Sequence, residues 1–188
     1  MQHDLETALV THCAATLARK KPGSLFRYRY ASWEAFAVEL AGLRETLREK
    51  GVEIRVMKAE NNASMLYVYR PSMLVNLVAL SAVNTFLSSL GYQDAHEPEG
   101  YLDQLQSRIT GEKGFPHEIG IFLGYPLADV KGFMEHHGLQ YRCLGCWKAY
   151  GDEENACKLF TLYAKCKRIY LARYKEGKTL SQLTIANG

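Results

Sequence analysis

The chain has almost no excess of charge: 23 Lys and Arg stand against 20 Asp and Glu, a net +3 over 188 residues. That is too little to build the field by which nucleic-acid and membrane-surface proteins gather their partners, so neither partner class is expected. No apolar leader with a small-residue cleavage site opens the sequence, which starts Met1-Gln2-His3-Asp4-Leu5-Glu6. The expectation is a cytoplasmic protein. Cysteines number five, an odd count in a chain long enough to fold without staples, which predicts reduced thiols rather than a disulfide framework. Repeats and low-complexity linkers are missing as well, so a single domain over 1–188 is expected. Lacking too is an uninterrupted apolar run of membrane-spanning length. The stretch 73–90 comes nearest, but Asn76, Ser81, Asn84, Thr85, Ser88 and Ser89 interrupt it, with Arg70 the nearby positive flank. It reads as a buried helix.

What is present is a clear alternation of periods. Residues 5–17 carry apolar side chains at helical spacing, and Lys20-Lys21-Pro22-Gly23 supplies a stop. Phe26, Tyr28 and Tyr30 then alternate with Arg27 and Arg29, which predicts a half-buried strand. Ser32 is a fitting N-cap for a helix striped by Trp33, Phe36, Leu40, Leu43 and Leu47, which Gly51 closes. Val52, Ile54 and Val56 alternate with Glu53, Arg55 and Met57, and the turn-rich Glu60-Asn61-Asn62 joins them to 65–70 as a hairpin. Pro71 opens the buried helix, a loop covers 93–100, and 101–109 forms a short amphipathic helix. Helices over 126–137 and from Asp152 to about Gly177 flank an extended stretch at 139–150, and 180–185 adds a last helical turn. The fold class is therefore α+β, with helices packed on a small antiparallel or mixed sheet. A ferredoxin-like core elaborated by the 91–138 insertion is one topology that fits.

The most informative segment is 115–126, where two prolines and two glycines break the periodicity around the ionisable pair His117-Glu118. A zinc-hydrolase motif would need a second His four residues on, and position 121 is Ile. His136 and His137 diverge by about 100° on a helix, so no metal site is assigned. A proton-transfer role suits His117 and Glu118 better, as catalytic acid and base, and capping the helix that starts near Ile119 is the structural alternative. Cys143 and Cys146 form a C-x-x-C, but residues three apart on a strand face opposite ways, and Cys157 and Cys166 diverge on their helix. Four sulfurs do not converge on a regular backbone. Tyr69 and Arg70 end one strand and Trp147 and Lys148 lie on another, which offers aromatic faces beside cations for a planar anionic ligand. Cross-strand packing is the plainer reading of the same residues. Gly177-Lys178-Thr179-Leu180 resembles the opening of a helix-turn-helix, yet no recognition helix follows it.

His12-Cys13-Ala14, Thr16-Leu17-Ala18, Lys21-Pro22, Ser24-Leu25-Phe26, the run from Leu66 to Pro71, residues 115–133 and Trp147-Lys148 with Tyr150 and Gly151 resemble a bacterial family known as domain of unknown function 3793. The resemblance covers almost the whole chain and is most specific from Phe115 through Gly124-Tyr125-Pro126 and Asp129-Val130 to Gly132-Phe133. It implies a small cytoplasmic protein of anaerobic Firmicutes, with iron or redox physiology suggested by flavodoxin and ferrous-iron uptake neighbours. It supplies no catalytic residues. Ala15 and Cys146 depart from the pattern, and the second departure weakens any metal role for the C-x-x-C.

These readings converge on a small-molecule binding protein. In it Arg70 and Lys148 hold an anion, Tyr69, Tyr125 and Trp147 offer flat faces, and His117 with Glu118 handles protons. The alternative is a non-catalytic module whose Phe122, Leu123 and Tyr125 dock a protein partner such as a redox carrier. The residues name no cofactor, and an iron or haem binder would need converging His, Cys or Tyr ligands.

Overall fold

The computed structural model describes residues 4–93, 97–111 and 114–187. It divides into two compact units, Met1–Ser72 with Tyr163–Gly188, and Met73–Leu162. Both boundaries fall within helices, Pro71–Val78 and Glu153–Lys175. The part of the predicted 93–100 loop at 94–96 lies outside the described residues.

The first unit is built on the predicted alternation. Asp4 caps α1 (Leu5–Leu17) by accepting from the Thr7 amide at 2.7 Å, and Ser32 caps α2 (Trp33–Arg48) through Ala35 at 3.3 Å. Strands β1 (Gly23–Arg29), β2 (Glu53–Glu60) and β3 (Ala63–Tyr69) form one sheet in the order β1-β3-β2, with both pairings antiparallel. It follows that β1 and β2 run parallel with α2 as their crossover and β3 between them, a split βαβ unit. Three strands of a ferredoxin-like core are therefore present. The segment expected to be extended at 139–150 does not add a fourth: its two-residue strands β4 (Cys143–Leu144) and β5 (Lys148–Ala149) pair with each other in the second unit.

Phe26 and Tyr28 are buried while Arg27 and Arg29 are exposed, as period two requires. His12 of α1 stacks on Phe26 at 5.0 Å, and Phe36 of α2 stacks on Tyr30 at 4.5 Å, so both helices cover this face. One assignment changes. Met57, expected on the polar face of β2, is fully buried because a bulge shifts the register between Val56 and Lys58. An extra residue in one strand turns the next side chain over.

The second unit is helical. The single buried helix expected at 73–90 is two helices, α3 (Pro71–Val78) and α4 (Ser81–Ser89), bent by 80°. Leu80 breaks the run by adopting extended dihedrals (φ −65°, ψ 121°) and is itself exposed. Among the described residues no single helix is long and apolar enough to cross a membrane. Then follow α5 (Pro98–Thr110), the single turn α6 (Ile119–Phe122), α7 (Leu127–Glu135) and the β4–β5 hairpin. The long α8 (Glu153–Lys175), capped by Asp152 on the Asn155 amide at 3.0 Å, leads back into the first unit. There α9 (Leu180–Leu183) ends the chain's regular structure with a Thr179–Gln182 capping box.

Candidate functional site

A cleft of about 320 Å³ opens in the second unit between α6, α7 and the β4–β5 hairpin. Local chemistry explains its shape. Gly120 lets α6 approach α7, since a Cβ there would stand 2.8 Å from Val130 and 3.1 Å from Tyr125. Gly124, in a left-handed conformation at φ 75°, ends α6 so that Tyr125 and Pro126 can turn the chain into α7. Gly132 presses α7 onto the hairpin, where a Cβ would come within 2.5 Å of Tyr150.

Asp129 organises the wall. Buried on α7, it accepts the indole N–H of Trp147 at 2.7 Å and the amides of Tyr150 and Gly151 at 2.8 Å each. A carboxylate taken out of water is tolerated when donors converge on it in this way. Trp147, only 8% exposed, stacks on Tyr125 with ring centroids 4.6 Å apart and meets Phe160 edge-on at 4.4 Å. Its orientation is thus set from three sides. Lys148 lies beside it on the cleft, and its ammonium donates to the Gly138 carbonyl at 2.7 Å, just past the end of α7, and sits 5.1 Å from the Tyr141 ring. His117 is exposed on the same lining, edge-on to Phe133 at 4.9 Å. Cys146 adds a thiol to the same lining.

Of the residues singled out from sequence, His117, Tyr125, Trp147 and Lys148 line this one cleft. Glu118 takes another path. It is buried, accepts from the Tyr92 hydroxyl at 3.1 Å and faces the Arg108 guanidinium at 3.5 Å. Arg108 in turn lies 4.2 Å over the Tyr92 ring and donates to the Leu90 carbonyl at 2.8 Å. This carboxylate ties the loop before α6 to α5 and to the end of α4. Burial, and then the Glu118 charge, push the Tyr92 phenol up, so it stays a donor. His117 and Glu118 both line a second, more open hollow beside Arg108 and Met134, but only His117 also lines the cleft against α7.

Tyr69 and Arg70 belong to the first unit. Tyr69 is buried, stacked on Tyr67 at 5.1 Å. Arg70 is 0% exposed, and its guanidinium is committed to backbone. Its Nε donates to the Thr16 carbonyl at 2.6 Å, and its Nη2 donates to those of Leu17 at 2.8 Å and Ile185 at 2.7 Å. Nη1 reaches the Lys50 carbonyl at 3.4 Å and Asn187 Oδ1 at 3.2 Å. Thr16 and Leu17 are the last residues of α1, where the carbonyls carry the negative end of the helix dipole. Burial, and then the nearby Arg19, lower the pKa of Arg70 from its usual value, yet a guanidinium remains charged. The strand-end cation expected to hold an anion instead caps a helix and fastens the C-terminal segment.

A family model described as protein of unknown function (DUF3793) matches residues 9–184. The chain belongs to this family. Neither a curated protein nor a solved structure matches it. Family membership thus agrees with the motif-based resemblance and carries no activity with it, so the site is argued from its own geometry. Sequence reasoning missed two features of it. Asp129 entered only as part of a family motif, although an acidic residue on the buried face of a predicted helix is itself a signal that donors converge there. The proximity of Cys143 to Cys157, at 3.2 Å between sulfurs, had no signal in spacing at all.

Proposed function

We propose that the second unit binds a small flat organic acid in the cleft between α6, α7 and the β4–β5 hairpin. The observation that carries this reading is a predominantly apolar hollow of about 320 Å³ with one cation, Lys148, on its lining. That size lies at the small end of ligand pockets, and apolar walls with a few fixed polar groups are their usual make-up. Phe133 and Val130 supply apolar surface, Lys148 supplies charge for a carboxylate, and the imidazole of His117 can donate or accept a proton at the mouth. Glu118 is not part of this proposal as an acid or base, since Tyr92 and Arg108 already engage it.

The docking alternative has less support. Phe122 and Leu123, which would form its apolar patch, are buried. An iron role has no cluster to stand on either, as no group of three or more His, Cys, Asp or Glu side chains converges among the described residues.

Calorimetric titration of the full chain with indole-3-carboxylate, and with its uncharged amide, tests the reading. The acid should bind saturably at one site and more tightly than the amide. Lys148→Met should weaken the acid about tenfold, near 1.4 kcal/mol, and leave the amide unchanged. Equal affinity for acid and amide, or an acid affinity that Lys148→Met leaves intact, rules out the anionic reading. Binding that survives Phe133→Ala and Lys148→Met together rules out the cleft.

A further inference from the structure

The hairpin that walls the cleft carries a second piece of chemistry. Cys143 on β4 and Cys157 on α8 have their sulfurs 3.2 Å apart, and Cys157 is exposed while Cys143 is half-buried. The other thiols are placed differently. Cys13 and Cys166 are buried, and Cys146 is exposed and lines the cleft. Two accessible thiols contributed by separate elements and already in contact need to close by only about 1 Å to reach bonding distance.

We propose that Cys143 and Cys157 form a reversible disulfide by exchange with a small-molecule disulfide, which makes the hairpin a dithiol–disulfide site. The order of events follows from accessibility and charge. Cys157, facing solvent, attacks one sulfur of the small disulfide as its thiolate. A bond forms from Cys157 to that sulfur, the old S–S bond breaks, and the first small thiol leaves and takes up a proton. Cys143 then loses its proton to solvent and attacks the Cys157 sulfur, which expels the second small thiol. Two protein thiols are oxidised, one small disulfide is reduced to two thiols, and two electrons pass between them. Before oxidation the Cys143 thiol is held in its protonated form, first by its bond to Cys157, with partial burial and the charge of Glu153 adding to it. Together with its lower exposure, this suits Cys143 to the resolving role.

Residues 144–148 lie inside the loop this bond closes, and all five line the cleft. Oxidation would tether that wall to α8. The linkage itself does not depend on the cleft taking a ligand.

The test uses the full chain, reduced and then equilibrated with oxidised glutathione. In Cys146→Ser, which removes the other exposed thiol, thiols counted after denaturation should fall by two per chain from four, and dithiothreitol should restore them. Trypsin cuts after Arg142, Lys148 and Lys158, so the oxidised protein should yield peptides 143–148 and 149–158 joined and two hydrogens lighter. Cys146→Ser should retain the cross-link, which assigns it to Cys143. In Cys143→Ser the cross-link should vanish and a glutathione adduct should persist on Cys157. A bridge within peptide 143–148, a cross-link that Cys146→Ser abolishes, bridges only between chains, or glutathione adducts in the wild type with no bridge would each overturn the proposal. Circular dichroism of each variant confirms that loss of the bond is not loss of the fold.

Discussion

Replacing Arg70 with Met removes a side chain that bonds both the end of α1 and the C-terminal segment. Three of its bonds are short, at 2.6 Å to Thr16, 2.7 Å to Ile185 and 2.8 Å to Leu17. Hydrogen bonds from a charged donor each contribute about 1.5–3 kcal/mol, a gross loss of roughly 5–9 kcal/mol. Against this stands the desolvation cost of a buried cation, several kcal/mol, which the variant no longer bears. The three carbonyls lose their shortest donor, although Thr16 still accepts from the Arg19 amide at 3.0 Å and Leu17 from the Ile185 amide at 3.1 Å. The net expectation is about 2–4 kcal/mol of destabilisation, the gross loss less the desolvation that Met does not bear. That is a large part of the stability of an ordinary domain, about 5–15 kcal/mol. Arg70→Lys keeps the charge but lacks the planar fork that spans acceptors on both helix and tail, and should cost about 2 kcal/mol. Urea denaturation followed by far-ultraviolet circular dichroism measures both. Hydrogen exchange at the Ile185 amide, which donates to the Leu17 carbonyl at 3.1 Å, reports the tail separately. If Arg70→Met lies within about 1 kcal/mol of wild type and Ile185 stays protected, the guanidinium is not what fastens the segment, and the argument fails.

Asp129→Ala should destabilise the second unit by about 2–4 kcal/mol, because it strands the Trp147 indole and two amides. Unfolding followed by Trp147 emission in a Trp33→Phe background checks it, and an unmoved midpoint with unchanged emission would remove Asp129 from its organising role. Alkaline pH should destabilise the first unit. Burial pushes Tyr170 up to about 12 and raises Tyr67 and Cys13 as well. As pH climbs past the ordinary phenol value, the unfolded chain releases protons that the folded one retains, so stability falls between about 10 and 12 and is unaffected by Tyr170 below that window. The thermal midpoint should drop on going from pH 8 to 11, and less in Tyr170→Phe; a flat profile would contradict the burial argument.

Much of the first unit was legible because its periods are clean. The arginines of β1 alternate with buried aromatics, Ser32 opens α2, and Asn61-Asn62 turns the hairpin between β2 and β3. What escaped reading lacks a local cause. A bulge at Met57 is one extra residue with no marker of its own. The break before α4 contains neither glycine nor proline and falls in a stretch apolar on most sides, where periodicity gives no cue. Half the site was legible in the same way. His117, Tyr125, Trp147 and Lys148 stand out by type and do share a cleft. Arg70 was misjudged because a cation at a strand end looks unengaged, and the acceptors that engage it lie 20 to 117 residues away in sequence. The nearness of Cys143 to Cys157 escaped because the geometry of regular strands and helices fixes directions within an element but not the distance between two of them.

The acceptors Ile185 and Asn187 follow the entire second unit in chain order. During synthesis, residues 73–162 therefore leave the ribosome whole while Arg70 still lacks the part of its cage that comes from the tail. The β1–β3 sheet must wait with a charged side chain incompletely enclosed, open to water or to a chaperone, until residues 185–187 arrive to seal it.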